Sequence, residues 1–440
     1  MKRRLKKEVK IFLIMFFILV LIIIVFLYIN KNKDIKQKKS IKKIDLVNIL
    51  SKKINDEEIN KDFLSWVDNN YKDSLSKLNK SLENNEYNSK MWHDVTGNSY
   101  IVLKDLYHKK YDSMDNVKIL DGNKDVSTIS FVGDVSLADN WFIAPVYDER
   151  GKGVNGILSE EMLNIMTNSD IMIANSEFTV SNRGTPIPNK TYTFRAKKER
   201  LPIYFEMGVD LVTLANNHVY DYGEDAFLDM LDAFEEYKIP HIGAGHNIDE
   251  AKKPYYFIIN GYKIAFVSAT RAEKFILTKG ATENDSGVFR CYDPTEMINL
   301  IKELKNDNDY VIPIIHFGRE NSHKLEEEQI SSARAYIDAG ASLVVGHHAH
   351  TLQGVEIYND KPIIYNLGNF LFNNETIDTA LFKVNLKNDG SMEYYIVPAL
   401  QKNSYTDILR DTEKIRVIND INSYSINVKI DEDGKINKIS

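Results

Sequence analysis

The first apolar feature of the chain is an unbroken run from Ile11 to Ile29, nineteen residues without a charge. As a helix, a run of this length crosses a hydrocarbon layer of roughly 30 Å. No small-residue cleavage site follows it, so it reads as an anchor and not as a removable leader. From Ile44 to about Asp125 the chain is polar, with apolar residues at helical spacing. Leu46, Ile49, Leu50 and Ile54 predict one amphipathic helix, and Phe63, Trp66, Val67 and Tyr71 predict a second. Residues 30–125 therefore read as a mostly helical spacer without chemistry of its own.

From residue 126 the period changes. STISFVG, DIMIANSE, VDLVTLANNH, IPHIGAG, DYVIPIIHFG and ASLVVGHHAH are short runs rich in β-branched residues. Between them lie the helical patterns GILSEEMLNIM, LPIYFEMG, DAFLDMLDAFEEY and EEEQISSARAYIDAG. Such alternation, with continuously apolar strands, predicts an α/β sheet covered by helices on both faces. Beyond residue 373, the turns Asn388-Asp389-Gly390 and Glu432-Asp433-Gly434 between alternating runs predict a β-rich extension, residues 374–440.

Charge sharpens this division. Through Lys43 there are thirteen Lys and Arg against two acids, whereas the remainder carries −18 of a formal net charge of −7. An acidic body lacks the Lys/Arg surplus that phosphate neutralisation requires, which argues against a nucleic-acid partner. One cysteine, Cys291, excludes an internal disulfide framework and a cysteine-built zinc site. Basic residues flank the apolar run on both sides, so charge alone leaves its direction nearly tied. A long folded domain translocates largely regardless of its charge. The expected arrangement is therefore a cytoplasmic tail, residues 1–10, a single-pass anchor, residues 11–29, and an extracellular main domain at the cell membrane.

The chemistry concentrates where strands stop. Five strand ends finish in Gly133-Asp134, Asn175-Ser176-Glu177, Asn216-Asn217-His218, His316-Phe317-Gly318 and Gly346-His347-His348-Ala349-His350. In α/β sheets, ligands bind beyond the carboxyl ends of the strands. Carboxylate, amide oxygen and imidazole suit Mn, Zn, Fe or Mg, as one or two ions. His348 and His350 can converge if their segment leaves the strand as a turn, whereas His347 reads as a packed core histidine. The loop from Ser181 to Arg195 carries Arg183, Lys190 and Arg195, basic groups suited to a carboxylate or phosphate. Arg319 and Glu320 follow His316 where a substrate would lie, and Asp221 and Tyr222 would brace the Asn217 loop. Asn366, Gly368 and Asn369 would shape a turn under the site.

The segments GDVSLAD, NSEFTV, LANNHVYDYG, GAG, HFG, GHHAHTLQGVE and YNLGNFLF, in this order, resemble the CapA family of capsule-synthesis proteins, linked to poly-gamma-glutamate production. That family is similar in fold to the calcineurin-like metallophosphoesterases. The resemblance implies an α/β fold, a layered metallophosphoesterase-type β-sandwich flanked by helices, over residues 126–373. It implies Asp134, Glu177, Asn217, His316, His348 and His350 as metal ligands, with Asn175 a rival to Glu177 and a substrate contact. His218 would donate a proton, Arg319 would act beside it, and Arg183, Lys190, Arg195 and Glu320 would hold substrate. Two departures stand out. Ser136 occupies a position that is histidine in the phosphoesterase pattern, and Glu177 replaces a bridging aspartate. Two functions stay open: a metal-dependent hydrolase or transferase of capsule synthesis, or a non-catalytic polymer-binding or scaffolding component. A nucleotidase is the weaker idea, since no aromatic pair placed for base stacking is evident. Expected partners are the membrane, an anionic capsule polymer or its precursor, and other capsule-synthesis proteins.

Overall fold

The computed structural model describes residues 43–120, 124–272 and 277–439. The expected span from Ile11 to Ile29 lies outside the described residues, among which no helix is long and apolar enough to cross a membrane. They fall into two compact units, with the boundary between Met91 and Trp92.

The first unit is helical, with helices at Lys43–Ile54, Lys61–Asn70 and Ser74–Glu83. Leu46 and Leu50 are buried on the first, and Phe63, Leu64 and Val67 on the second. Asn60 starts the second helix, its side-chain oxygen accepting from the backbone N–H of Asp62 and Phe63, the donors that a helix start leaves unpaired.

The second unit holds the strands. Along the chain, β1 (Val126–Val135), β2 (Ile171–Ser176) and β3 (Leu211–Thr213) are followed by β4 (Tyr262–Thr270), β5 (Tyr310–His316) and β6 (Val344–His347). The carboxyl end adds β7 (Ile377–Lys387), β8 (Met392–Gln401) and β9 (Thr406–Ile408). They build two sheets. One has the order β9-β8-β7-β1-β2-β3 and ends in His241–Ile242; the other sets Tyr255–Ile259, β4, β5 and β6 side by side. Strand periodicity carries no information about which strands pair: the one sheet that alternation alone suggests is two, the layered arrangement that the resemblance implied.

Packing makes the layers explicit. Ile129, Phe131, Ile173 and Phe382 of the first sheet share one buried cluster with Phe266, Ile312, Ile314 and Val345 of the second. The outer face of the first sheet packs on helices Glu160–Thr167 and Glu224–Glu236 through Met166, Phe227 and Phe234. The outer face of the second packs on Thr295–Asn306 and Glu327–Asp338 through Met297, Ile301 and Tyr336. The result is helix, sheet, sheet, helix, with strands buried on both faces as their continuous apolar runs require.

The ends of this unit reach further than the sequence pattern suggests. β7 pairs along its length with β1, so the strands expected as a carboxyl-terminal extension are integral to the first sheet. At the other end, residues from Trp92 onward belong to this unit and not to the first. Lys263 Nζ lies 2.6 Å from Asp105 Oδ2, both side chains buried, and Ser99 Oγ donates to Asp309 Oδ2 at 2.7 Å.

Candidate metal centre

Asp134 reaches the interior through an irregularity. In the β1–β2 register, Phe131 pairs with Ile173 but Asp134 pairs with Asn175, so β1 carries one extra residue between them. Strict alternation from Phe131, which faces the sandwich, would send Asp134 outward; the bulge turns it inward. Gly133 makes room for it. A Cβ there would sit 1.9 Å from the carbonyl oxygen of Gly368, whose neighbour Asn369 pairs with Asp134.

Three strand ends from the first sheet and two from the second meet at one edge of the sandwich. β6 ends at His347, after which His348 and His350 both take left-handed backbone angles, φ +95° and +55°. This is an uncommon conformation for residues with a Cβ, held here by surrounding contacts, and it is the turn the sequence required for their convergence. The His348 and His350 rings lie 6.1 Å apart, and His348 lies 4.7 Å from the His316 ring.

Glu177 is the hub. It is fully buried, and its Oε2 accepts from Asn175 at 2.9 Å, whereas its Oε1 has no hydrogen-bond partner among the described residues. Around that bare oxygen stand Nε2 of His316 at 3.7 Å, Nε2 of His350 at 3.7 Å and Nε2 of His218 at 4.0 Å. Two sets of ligand atoms lie within 4.8 Å of one another: Glu177, His348 and His350, and Asp134, Glu177 and His316. Glu177 belongs to both, the position of a bridging ligand. Asn217 Oδ1 joins the second set through His316 Nε2 at 2.8 Å.

The electrostatics suit a divalent cation. Burial opposes ionisation of Asp134, yet the adjoining His347 and His350 imidazoles hold its carboxyl well below the usual range. Burial, then the charge of Asp134, pushes Glu177 well above it. Burial, then the neighbouring His348, lowers His316 well below the ordinary imidazole, and burial, then His350, lowers His348 to about 3. Both are neutral, as metal ligation demands. Burial also acts to lower His350, but Asp134 outweighs it and raises the imidazole. The buried and unpartnered Glu177 Oε1, His348 Nδ1 and Asn217 Nδ2 would be costly without something to satisfy them. The donor set, carboxylate with imidazole and amide, is one that divalent transition metals accept.

Other residues support the cluster. His218 Nδ1 lies 2.7 Å from Asp221 Oδ2, and its ring rests on Phe194 at 4.4 Å. Asp221 also accepts from the backbone N–H of Phe194 and pairs with Lys190 Nζ at 2.8 Å, so it does brace this loop. The Lys190 side chain is buried, and its ammonium donates to the carbonyl of Asn217. His350 Nδ1 bonds Asn369 Oδ1 at 2.8 Å, and Asn366 Oδ1 accepts from Gly368 N–H at 2.8 Å.

Several expected roles change. Asn175 is no substrate contact. It is buried, its amide nitrogen spans Asp134 Oδ1 and Glu177 Oε2 at 2.9 Å each, and its oxygen accepts from Thr213 and Asn216. Arg183 is captured instead by Asp229, with its Nη2 2.5 Å from the carboxylate, and by Asp225 at 3.6 Å. Arg195 lies over the Tyr222 ring at 4.2 Å and donates to the carbonyls of Arg183 and Gly184. Of these three basic residues, Lys190 alone reaches the cluster. Arg319 and Glu320 are exposed at its rim, and Glu320 adds negative field at Glu177 and His350. Ser136 is buried, and its hydroxyl has no hydrogen-bond partner among the described residues.

His347 is the residue that sequence reading set aside. Its ring is buried, Nδ1 lies 3.3 Å from Asp134 Oδ1, and neither nitrogen has an aligned hydrogen bond among the described residues. The inward-facing parity of Leu343, just before β6, and Val345 on it, both in the inter-sheet cluster, is the signal that points it there.

A family model described as bacterial capsule synthesis protein PGA_cap matches residues 128–374. The chain is 32% identical over 288 residues to the PGA biosynthesis protein CapA of Bacillus subtilis (strain 168), covering 64% of this chain and 73% of that one. It is 32% identical over 273 residues to the capsule biosynthesis protein CapA of Bacillus anthracis, covering 57% and 66%. Among solved structures, a phosphatase from Mycoplasma pneumoniae aligns with a TM-score of 0.40 at 13% identity, over 63% of this chain and 95% of that one.

Proposed function

The chain belongs to the PGA_cap family of bacterial capsule synthesis proteins, and from that premise we propose that it is a membrane-anchored, metal-dependent hydrolase or transferase acting on an anionic capsule polymer or its precursor. The apolar run Ile11 to Ile29 would anchor it, with the acidic remainder outside the cell and other capsule-synthesis proteins as neighbours. The domain would be of calcineurin-like metallophosphoesterase type, with residues 126–373 as its catalytic span.

One observation carries the metal reading: a fully buried carboxylate oxygen, Glu177 Oε1, with three imidazole Nε2 atoms 3.7 to 4.0 Å away and no hydrogen bond among the described residues. Asp134, Glu177, Asn217, His316, His348 and His350 would hold one or two ions of Mn, Zn, Fe or Mg. When bound, such an ion lowers the pKa of water and stabilises charge on a displaced oxygen. The chain's own groups do the rest. Asp221 accepts from His218 Nδ1–H, which turns Nε2 toward the centre and stabilises the imidazolium, the form that would give its Nε2 proton to the leaving group. Lys190, buried and paired with Asp221, holds the loop that carries Asn217 and His218 and adds positive charge to the field of the centre. Arg319 and Glu320 border the entrance.

Ser136 favours a second reading. Its hydroxyl supplies a weak ligand at best, so a site that binds polymer without turnover is the alternative. The test is metal content of the purified full-length protein beside a His348→Ala, His350→Ala double variant. One or two equivalents of metal in the parent, lost in the variant, are expected. A parent that takes up none from Mn²⁺ or Zn²⁺ would sink the metalloenzyme reading.

A further inference from the structure

The candidate centre lies at the end of β1, and the same sheet edge continues away from it. β7 runs antiparallel to β1 and β8 antiparallel to β7, with Leu381 opposite Val132 and Ile377 opposite Gln401. The carboxyl end of β8 therefore emerges at the same edge as Asp134, two strand spacings or roughly 10 Å along it. The link is direct. The Phe372 ring lies 4.6 Å from the His350 ring, and its backbone N–H donates to Gln401 Oε1 at 2.7 Å. Lys402 is the next residue.

Here β8 turns into β9 through Asn403 and Ser404, both with positive φ, and the turn borders a cavity of about 600 Å³. Arg150, Lys152 and Lys402 line it, with Tyr405 and the apolar Leu400 and Leu409. Arg150 ends the helix Ile143–Arg150 and spends its donors on backbone carbonyls, of Gly156 at 2.5 Å and Asn403 at 2.9 Å. Carbonyls leave its charge uncompensated. Lys152 and Lys402 are exposed, and none of the three cations is in an ion pair among the described residues. The one carboxylate of the lining, Asp407, already faces Arg410 at 3.7 Å. In a chain whose body is strongly acidic, three cations outside any ion pair around one hollow form a local positive spot.

We propose that this cavity is a second binding place for a linear polycarboxylate, set so that one chain lies along the sheet edge with its reacting segment at the candidate metal centre. The proposal rests on the reading of that centre given above. Repeating carboxylates match the Lys152, Lys402 and Arg150 charges, and the methylenes between them match Leu400, Leu409 and the Tyr405 ring. A free amino acid cannot span both places, so the gain belongs to polymer alone.

The test titrates fluorescently labelled poly-glutamate against the full-length protein in detergent, comparing the parent with a Lys152→Glu, Lys402→Glu variant. Both side chains are exposed and outside the metal cluster, so metal content stays at the parental value. The expected result is polymer affinity weakened about tenfold or more, as juxtaposed like charges require, with free glutamate binding equally weakly to both proteins. Parental polymer affinity in the variant overturns the proposal, as does binding of phosphatidylglycerol vesicles without binding of polymer. The two readings separate cleanly. A metal-free parent whose polymer binding still depends on Lys152 and Lys402 removes the centre and keeps the cavity, whereas a metal-loaded parent indifferent to both lysines does the reverse.

Discussion

His347 Nδ1 lies 3.3 Å from Asp134 Oδ1, the inner oxygen of a carboxylate whose outer oxygen faces His350 Nδ1 at the same distance. Asp134 is thus gripped from the core side by His347 and Asn175, leaving its other oxygen toward the candidate ligands. Groups that orient a ligating carboxylate typically contribute 10–100-fold in metal affinity. Replacing His347 with Ala is accordingly expected to weaken metal binding by about that factor. His347→Asn, which keeps a donor near the Nδ1 position, restores most of it. Competition against a chromogenic chelator measures both; a His347→Ala protein that loses thermal stability but binds metal normally would make the residue purely structural.

Metal uptake should depend on pH in a particular direction. His316 and His348 are neutral already, so they add no slope near neutrality. Glu177 and His350 are both raised, and each must lose its proton before it ligates. Affinity therefore rises with pH, from below the ordinary imidazole pKa of about 6.5, until both groups are deprotonated, and then levels. Calorimetry in buffers of different ionisation heat would count the protons released; zero protons, or affinity that falls as pH rises, contradicts this.

Asp221 touches His218, Lys190 and the Phe194 backbone but belongs to neither set of ligand atoms. Asp221→Asn should leave metal content intact while turnover of an aryl phosphate or another accepted substrate drops about 10²-fold or more. Equal loss of metal and turnover would mean that Asp221 serves the fold of the loop instead.

Gly133 and Gly151 offer a controlled comparison in stability. A Cβ at Gly133 meets backbone at 1.9 Å, while one at Gly151 meets nothing within 4 Å and faces only its positive φ of +58°. Gly151→Ala should cost about 1–2 kcal/mol. Gly133→Ala should cost distinctly more, at or above the ~1–3 kcal/mol of an overpacked core, and lower metal content because the bulge aims Asp134. Denaturant unfolding decides, and equal losses at the two positions would refute the packing argument.

Lys263 and Asp105 form a buried pair, 2% and 3% exposed, that ties residues following Trp92 to β4. Lys263→Met leaves the buried Asp105 carboxylate with only the exposed Lys110, 3.5 Å away, and should destabilise by up to ~3–5 kcal/mol. Adding Asp105→Leu should recover much of that, since the poorly paired charge is then gone. Additive losses would show the pair to be better than its hydrophobic replacement.

Much of this was legible in the pattern of residues. Strand ends rich in Asp, Glu, Asn and His do converge, because parallel strands deliver their carboxyl ends to one edge. Three things were hidden. The extra residue beside Gly133 reverses the facing of Asp134, and no periodicity distinguishes a bulge from a regular strand. The role of His347 depends on which face of β6 looks inward, a fact set by pairing with β5. Arg183 is neutralised by Asp229, 46 residues further along the chain, a partner that only the fold brings near.

The division of the candidate centre between two sheets has a consequence for how the protein is made. The backbone of His348 meets Asp134 across 214 residues of chain. A nascent chain that has just exposed Asp134 and Glu177 still lacks every imidazole of the cluster, from His218 to His350. The centre cannot exist in a half-synthesised molecule, nor in one whose sheets have parted. Capture of an ion by the candidate centre would then be a late checkpoint in biogenesis, and a chain holding one would, by that fact, have closed its sandwich.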